Sequence, residues 1–213
     1  MKTIRKLAAP VLPFAGEFSP EQLPQAWQNL EEWEIACYPW SAPDGYRPKA
    51  CARVGVHEGD LHVLMYALEP AIQARETRVG GAVCVDSCLE FFVQPLESDE
   101  RYLNFEANPL GTMHLGIGAG RAGRTVFSPL PEGVCPVASE HRGAWWAVYY
   151  KIPGSFLEAQ FGRPLGERVR ANCYTCDESI HPHFGTLFPV NAPKPDFHRP
   201  EFFEPVFFEP KKQ

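Results

Sequence analysis

Carboxylate and carboxamide side chains alternate with apolar ones along one short segment, YLNFEAN at residues 102–108. The side chains of a β-strand point alternately to its two faces. Tyr102, Asn104, Glu106 and Asn108 are therefore expected on one face, with the apolar residues between them facing a core. If the apolar strand predicted at residues 88–93 pairs with this segment, Glu90 joins the same face.

Planar polar groups beside an aromatic ring suit the recognition of a sugar. Sugar hydroxyls form hydrogen bonds with carboxylates and amides, and the C–H faces of a sugar ring pack on aromatic rings. The same pattern is also typical of an antiparallel sheet with one solvated face. The alternation alone leaves both interpretations open.

A second group of residues has the composition of a zinc site. Cys173 and Cys176 form a CxxC pair, and His181 and His183 follow closely in the sequence. Thiolates and imidazoles are the usual ligands of structural zinc. A strand over residues 168–174 would, however, turn Cys173 toward the core, which argues against shared coordination.

Two further chemistries have candidate residues. Glu90 and Glu106 on adjacent strands form a carboxylate pair of the kind that hydrolyses glycosides. Met65, Met113 and His114 are residue types that bind haem iron, but Met65 lies in a segment predicted to be a buried strand, which favours a packing role.

Short apolar segments separated by turns containing glycine or proline dominate the chain and predict β-strands. Two helical turns are expected, near Ser19 and from Ser155 to Gly162. This pattern predicts an all-β chain, an antiparallel β-sandwich of jelly-roll type in a single domain, with its core between about residues 20 and 210. The predicted strands cover residues 31–40, Lys49–His57, 61–68, 88–93, 102–108, 112–117, Trp145–Ile152, 168–174 and 202–209.

Length, composition and charge exclude several functional classes. The chain has 213 residues, of which 45% are hydrophobic, and this is enough to form one large domain. A net charge of -6 argues against general binding to nucleic acid. No apolar run approaches the roughly 20 residues of a membrane span. The composition is therefore typical of a globular domain without a membrane or nucleic-acid partner.

The first residues and the cysteines predict a cellular compartment. Residues 1–6 are basic, but the apolar stretch that follows is short and interrupted by prolines, unlike a signal peptide. The seven cysteines are an odd number in a chain large enough to form its own core, which favours reduced thiols over a disulfide framework. Both features predict a cytoplasmic protein.

Several segments, in this order and spacing, resemble the family 9 carbohydrate-binding modules from about residue 20 to the C-terminus. In that family an acidic-Ser-x-Glu-Ile-Phe strand precedes an aromatic-x-Phe-x-x-Asn strand, as DSCLEFFV at residues 86–93 precedes YLNFEAN. Residues 146–153, WAVYYKIP, resemble a later strand that ends in Ile-Pro. The final segment, DFHRPEFF at residues 196–203, resembles the family's aromatic-Arg-Asp-Pro-x-x-Phe segment.

The resemblance implies an antiparallel β-sandwich that binds the ends of glucan and xylan chains between two aromatic rings and carries structural calcium. By position, Glu90 falls on the sugar-binding glutamate of the family, and Phe197 or His198 on its second stacking aromatic. Residues 78–86 contain no aromatic to replace the first stacking tryptophan. The candidates to replace it are Trp40 and Tyr46, from another loop.

The residues and the resemblance together predict a non-catalytic domain that binds a saccharide or the end of a saccharide chain. A family arginine falls on Glu106, a departure that bears on the identity of the ligand. The alternatives are a glycosidase that uses Glu90 and Glu106, and an interaction module that has lost sugar binding. The predicted ligand-binding residues are Glu90, Tyr102, Asn104, Glu106 and Asn108 on a concave sheet face, with Arg78, Phe197, His198 and Arg199 at its rim.

Overall fold

Antiparallel strands form nearly all of the regular structure in the computed structural model, which describes residues 1–40, 44–141 and 145–210. In chain order the strands are β1 (Lys2–Lys6), β2 (Trp33–Glu34), β3 (Lys49–His57), β4 (Asp60–Leu68), β5 (Cys88–Gln94), β6 (Tyr102–Ala107), β7 (Met113–Gly118), β8 (Thr125–Val126), β9 (Val137–Ala138), β10 (Trp145–Ile152), β11 (Arg168–Asp177), β12 (His183–Thr186) and β13 (Glu204–Phe208).

The strands form two sheets that pack face to face. The front sheet has the order β8-β7-β6-β5-β11-β13, and β12 also pairs with β11. The back sheet has the order β3-β4-β10-β9, and β2 pairs with β3. The main hydrophobic core lies between the sheets and draws residues from both. The predicted antiparallel β-sandwich is confirmed.

Strand β1 joins the two sheets and was not predicted. Its first half pairs with β13 and its second half with β3, both in parallel register. Only Ile4 of this strand is buried, so the segment has a weak apolar pattern. Because β1 continues the front sheet beyond β13, the prediction that residues 202–209 form an edge strand is wrong.

Several predicted strand limits hold, and others need correction. The hairpin of β3 and β4 turns at Glu58 and Gly59, where the backbone adopts positive φ, and β4 is buried on both faces as expected. The strand predicted for residues 31–40 is reduced to β2. The strand predicted for 168–174 extends to Asp177 and pairs with β12, in a segment expected to be loop.

Helical structure in the described ranges consists of two short α-helices and three single turns. Helix α1 (Gln25–Gln28) follows a 3-10 turn at Pro20–Gln22, and helix α2 covers Gly154–Phe161. The helix expected from Ser155 begins one residue earlier, directly after Pro153 and without a capping side chain. Gly162 ends α2 at φ 77° as expected, because glycine adopts this left-handed conformation without strain. None of the helices in the described ranges has the length and apolar character to cross a membrane.

Chain segments cover the outer faces of both sheets. Residues 7–30, the N-terminal cover, pack an aromatic cluster that includes Phe18 and Trp27 against the back sheet. Residues 190–203, the C-terminal cover, pack Phe197 and Phe203 against the front sheet around β5, β6 and β11. The solvated sheet face considered as an alternative is therefore wrong at these strands, because their outward side chains are buried.

Candidate functional site

A pocket opens between the outer face of the front sheet and the C-terminal cover. It encloses about 400 Å³ of non-atom space, part of it open to solvent. Its walls combine carboxyl, thiol, guanidinium, imidazole and aromatic groups. They are formed by Cys84, Glu90, Glu106, Arg121, Cys176, Glu178, Phe184, Pro195, Asp196, Phe197 and His198.

Two carboxyl groups lie side by side at the base of this pocket. Glu90 on β5 and Glu106 on β6 are direct cross-strand partners, and both are buried. Burial, together with the neighbouring Glu106 carboxyl, raises the pKa of Glu90 well above its usual range. Burial also raises the pKa of Glu106, against the opposing effects of His114 and of the hydrogen bond from Asn104. Both shifts favour the protonated form, and both carboxyl groups line the pocket.

The two glutamates differ in how they are held. Asn104 donates a hydrogen bond of 2.7 Å from Nδ2 to Oε1 of Glu106. For Glu90, the described contact is the thiol of Cys176, which donates to Oε1 at 3.2 Å. A thiol is a weak donor. Glu90 is therefore the carboxyl group with more capacity left for a ligand.

A guanidinium group supports the carboxyl side of the pocket from behind. Arg124, at the edge of the front sheet, donates from Nε to Oδ1 of Asn104 at 3.1 Å and lies 4.2 Å from the centroid of the Tyr102 ring. Gly116 makes room for this contact, since a Cβ there would lie 2.7 Å from Asn104 Oδ1. Arg124, the residue before β8, thus places a positive charge near Glu106.

The C-terminal cover is fixed over the pocket by aromatic and polar contacts. The Phe197 ring stacks on Tyr174 of β11 with centroids 4.2 Å apart. His198 Nδ1 lies 2.8 Å from the Tyr102 hydroxyl. At the rim, Arg121 donates to Asp196 Oδ1 at 2.9 Å and joins the loop before β8 to the cover. These contacts set the height of the cover above the two carboxyl groups.

The imidazole of His198 faces the pocket as a neutral group. Burial, reinforced by the charges of Arg124 and Arg121, lowers the pKa of His198 to about 3. At neutral pH the ring therefore offers hydrogen bonding without charge. A neutral donor or acceptor beside carboxyl groups favours a ligand with hydroxyl groups over a charged one.

The structure brings four of the nine predicted ligand residues to the pocket wall: Glu90, Glu106, Phe197 and His198. Tyr102 and Asn104 lie one layer behind them and hold His198 and Glu106 in place. Glu90, Tyr102, Asn104 and Glu106 share one face of the front sheet, as strand alternation predicted, and the C-terminal cover brings Phe197 and His198 over it.

The other three predicted residues do not line the pocket. Asn108 is buried at the end of β6, where Nδ2 donates to Glu76 O and to Asp86 Oδ2, both at 2.8 Å. Arg78 is paired with Glu76 and its side chain is 80% exposed. Arg199 pairs with Glu201 and lies over the Phe202 ring. The geometry therefore gives these three no contact with a ligand in the pocket.

The suggested replacements for the missing tryptophan do not lie in the pocket wall. Trp40 packs against Phe197, with centroids 6.0 Å apart, and donates from Nε1 to Ala192 O. The Tyr46 ring stacks on the His181 ring, with centroids 3.6 Å apart. The pocket instead receives an aromatic ring from Phe184 on β12, which was missed because this strand was expected to be loop.

The structure does not bring together the zinc and haem groupings considered from the sequence, in line with the arguments against them. Cys173 points into the core between the sheets, whereas Cys176, three residues later on β11, points into the pocket. His181 instead bonds Asp44, and His183 bonds the backbone of His181. Met65 and Met113 are both packed in the core, and His114 Nδ1 lies 3.0 Å from Gly80 O.

One group of three acidic, histidine or cysteine side chains within the described ranges can reach a single ion. It consists of Cys88, Glu90 and Cys176. Two of its three ligand atoms are sulfur, whereas calcium prefers oxygen. This group therefore does not fit the structural calcium implied by the resemblance, and calcium stays a prediction.

Comparison with known proteins places this geometry in context. The described pocket lies within residues 18–208, which match the family model of carbohydrate-binding family 9. No protein of curated function matches the chain by sequence.

Solved structures share the fold over almost the whole chain. A candidate carbohydrate-binding protein from Bacteroides uniformis has a TM-score of 0.77 and 24% identity, and the alignment covers 98% of each chain. A family 9 carbohydrate-binding module from Caldicellulosiruptor kristjanssonii in complex with glucose has a TM-score of 0.64 and 12% identity, covering 99% of this chain and 97% of that one. The complex of such a module from that organism with cellotriose has a TM-score of 0.65 and 10% identity, covering 99% and 94%. On the family match, the chain belongs to carbohydrate-binding family 9.

Proposed function

We propose that this chain is a non-catalytic carbohydrate-binding domain that holds one end of a saccharide in the pocket beneath the C-terminal cover. The observation that carries the proposal is the pair of buried carboxyl groups, Glu90 and Glu106, in direct register at the base of a pocket in a family 9 chain. Relatives by structure were solved with glucose and with cellotriose, which supports the same ligand class here.

The contacts of each carboxyl suggest its role. Glu90, with only a thiol as its described partner, would accept hydrogen bonds from two adjacent sugar hydroxyls. Glu106, oriented by Asn104, would accept another, and the neutral His198 would complete the polar set. Phe184 and Phe197 would pack against the C–H groups of the ring.

The enclosure of the pocket favours a chain end or a short sugar. The sheet closes it on one side and the cover on the other, which suits a terminal unit better than the middle of a long polymer. Phe197 is only 7% exposed, so it contributes a small part of its ring. The expected ligands are therefore monosaccharides and the ends of short oligosaccharides.

The structural relatives support binding over hydrolysis, since those solved with glucose and with cellotriose are carbohydrate-binding modules. A glycosidase needs one protonated and one ionised carboxyl group, held in environments that separate their pKa values. Burial raises the pKa of both glutamates, and the neighbouring Glu106 carboxyl raises that of Glu90 further. An assay for hydrolysis is therefore the direct test of this pair.

Calorimetric titration with glucose, cellotriose and short xylan oligosaccharides tests the proposal. We expect saturable binding that Glu90→Gln weakens by about 1–3 kcal/mol, because one hydrogen-bonding oxygen is replaced by a donor. Glu100→Gln, on the exposed loop between β5 and β6, is the matched control and should bind like the wild type.

Two outcomes would contradict the proposal in different ways. Release of the aryl group from an aryl glycoside, abolished by Glu90→Gln, would identify a glycosidase. An absence of any thermal shift or heat of binding across a glycan panel, with and without calcium, would identify an interaction module that has lost sugar binding.

A further inference from the structure

Two thiols and one carboxyl group converge at the base of the pocket. Cys88 on β5 and Cys176 on β11 are direct cross-strand partners, so their side chains project from the same face. Glu90 follows two residues after Cys88 and shares that face. One ligand atom from each of the three lies within 4.8 Å of the others.

Strand pairing, not a flexible loop, holds this arrangement. The β5–β11 ladder runs without interruption from the Arg170–Gln94 pair to the Cys176–Cys88 pair. Cys176 Sγ already lies 3.2 Å from Glu90 Oε1, which sets the direction of both side chains. The ladder therefore holds the three groups in place, and an ion that binds here displaces the protons of the two thiols and of the Glu90 carboxyl to solvent.

The cluster is buried but has an entry path. Cys88 is fully buried, and Cys176 and Glu90 are 1% and 2% exposed. Both Cys176 and Glu90 nevertheless line the pocket, as does a third thiol, Cys84, whose backbone oxygen lies 3.8 Å from Cys176 Sγ. An ion can therefore reach the cluster from the pocket side, where an additional ligand position would face.

The donor set determines which ion fits. Thiolate sulfur with one carboxylate oxygen is typical of zinc and other thiophilic divalent ions, and calcium and magnesium prefer oxygen alone. We propose that Cys88, Cys176 and Glu90 form a binding site for a thiophilic divalent ion such as Zn²⁺, with its open coordination position toward the pocket. The ion site shares Glu90 with the proposed saccharide site, and its test uses no saccharide.

Titration of the full chain with Cd²⁺ under reducing conditions tests this site. Cadmium is a spectroscopic substitute for zinc, and its bond to thiolate gives a charge-transfer band in the ultraviolet. We expect that band to saturate at one ion per chain, and Zn²⁺ to displace Cd²⁺. Excess Ca²⁺ should leave the band unchanged.

Variants separate this site from the other thiols. Cys88→Ser and Cys176→Ser should each reduce affinity about 10- to 100-fold or more and weaken the band. Cys135→Ser changes an exposed thiol outside the cluster and is the matched control, expected to bind like the wild type. Glu90→Gln keeps both thiols, and should weaken binding while retaining the thiolate band at saturation.

Several outcomes would overturn the proposal. These are the absence of a saturable band in the wild type, full retention of affinity in both Cys88→Ser and Cys176→Ser, or a disulfide between these cysteines that persists in reductant. If a serine variant fails to fold, Glu90→Gln decides, because wild-type Cd²⁺ affinity in that variant would exclude the carboxylate as a ligand.

Discussion

Both outer faces of this sandwich are covered by additional chain segments, but the two covers enclose different chemistry. Beneath residues 7–30, Trp27, Phe18 and Tyr66 fill the space against the back sheet with aromatic and aliphatic contacts. Beneath residues 190–203, an aromatic cluster of similar kind surrounds a pocket whose base carries Glu90 and Glu106. An apolar cover stabilises the fold, whereas a cover held above buried polar groups leaves those groups available to a ligand.

The largest expected effect concerns the N-terminal cover. Trp27 is fully buried, and its ring packs edge-on against Tyr149, with the ring centroids 5.6 Å apart. Trp27→Ala should lower the free energy of unfolding by about 3–5 kcal/mol, because it removes a large buried side chain and leaves a cavity. Chemical denaturation measures this change, with the exposed Gln25→Ala as the control. Equal saccharide affinity of the folded wild type and variant is expected, and a large loss would contradict the separation of the two covers.

The corresponding change in the C-terminal cover should affect both stability and binding. Phe197→Ala removes the ring that stacks on Tyr174 and lines the pocket. We expect a smaller loss of unfolding free energy, about 2–4 kcal/mol, because the ring lies at the pocket boundary. Saccharide affinity measured by calorimetry should also fall about tenfold. Unchanged saccharide affinity in Phe197→Ala would show that the C-terminal cover is not part of the binding site.

A third prediction compares Glu69, a carboxyl group buried outside the pocket, with Glu90 and Glu106 in the pocket. Glu69 is buried and accepts hydrogen bonds from Trp146 and Ser87. Burial raises the pKa of Glu69 from its usual 4.5 to about 7. Between these values the folded protein keeps a proton that the unfolded chain has lost, so the unfolding free energy should decrease as pH rises from 4.5 to 7.

Glu69→Gln isolates this effect. Its unfolding free energy should decline by roughly 1–3 kcal/mol less than that of the wild type over the same pH range. Denaturation at the two pH values measures the difference. Identical pH dependence in the two proteins would show that Glu69 titrates normally. Carbohydrate affinity at one pH is expected to stay unchanged, since Glu69 does not line the pocket.

The smallest effect separates two exposed arginines. Arg78 pairs with Glu76 away from the pocket, whereas Arg121 pairs with Asp196 at its rim. Arg78→Ala should change neither stability nor saccharide affinity measurably, because an exposed ion pair contributes little. Arg121→Ala should weaken binding severalfold by releasing one contact of the cover. Equal binding by the two variants would show that the rim ion pair does not position the cover.

Sequence reasoning predicted the part of the site that depends on strand alternation. The period of two along residues 88–94 and 102–107 placed Glu90 and Glu106 on one face, and their cross-strand register brings them together. Alternation assigns a face but not a position along it. Asn108 is therefore on the predicted strand but at the end that Asp86 and Glu76 occupy, remote from the cover.

The missed elements have no local pattern that identifies them. Strand β1 buries only Ile4, since its other side chains lie where two sheets meet at an edge. Arg121 and Arg124 reach the site because a glycine-rich hairpin folds back, and Gly116 leaves space for Arg124. Cys176 is the exception, because continuing the alternation of β11 from Tyr174 assigns it to this face of the sheet. The contacts of β1, Arg121 and Arg124 are tertiary, so neighbouring residues in the sequence do not determine them.

The position of β1 has a consequence for folding kinetics. Lys2 pairs with Val206, a contact between residues about as far apart in sequence as the chain allows. Contacts of such long range carry a large loop-closure entropy and generally form late. Strand β13, which β1 fixes, directly follows the C-terminal cover. We therefore expect the pocket to be completed among the last steps of folding, after both sheets have formed.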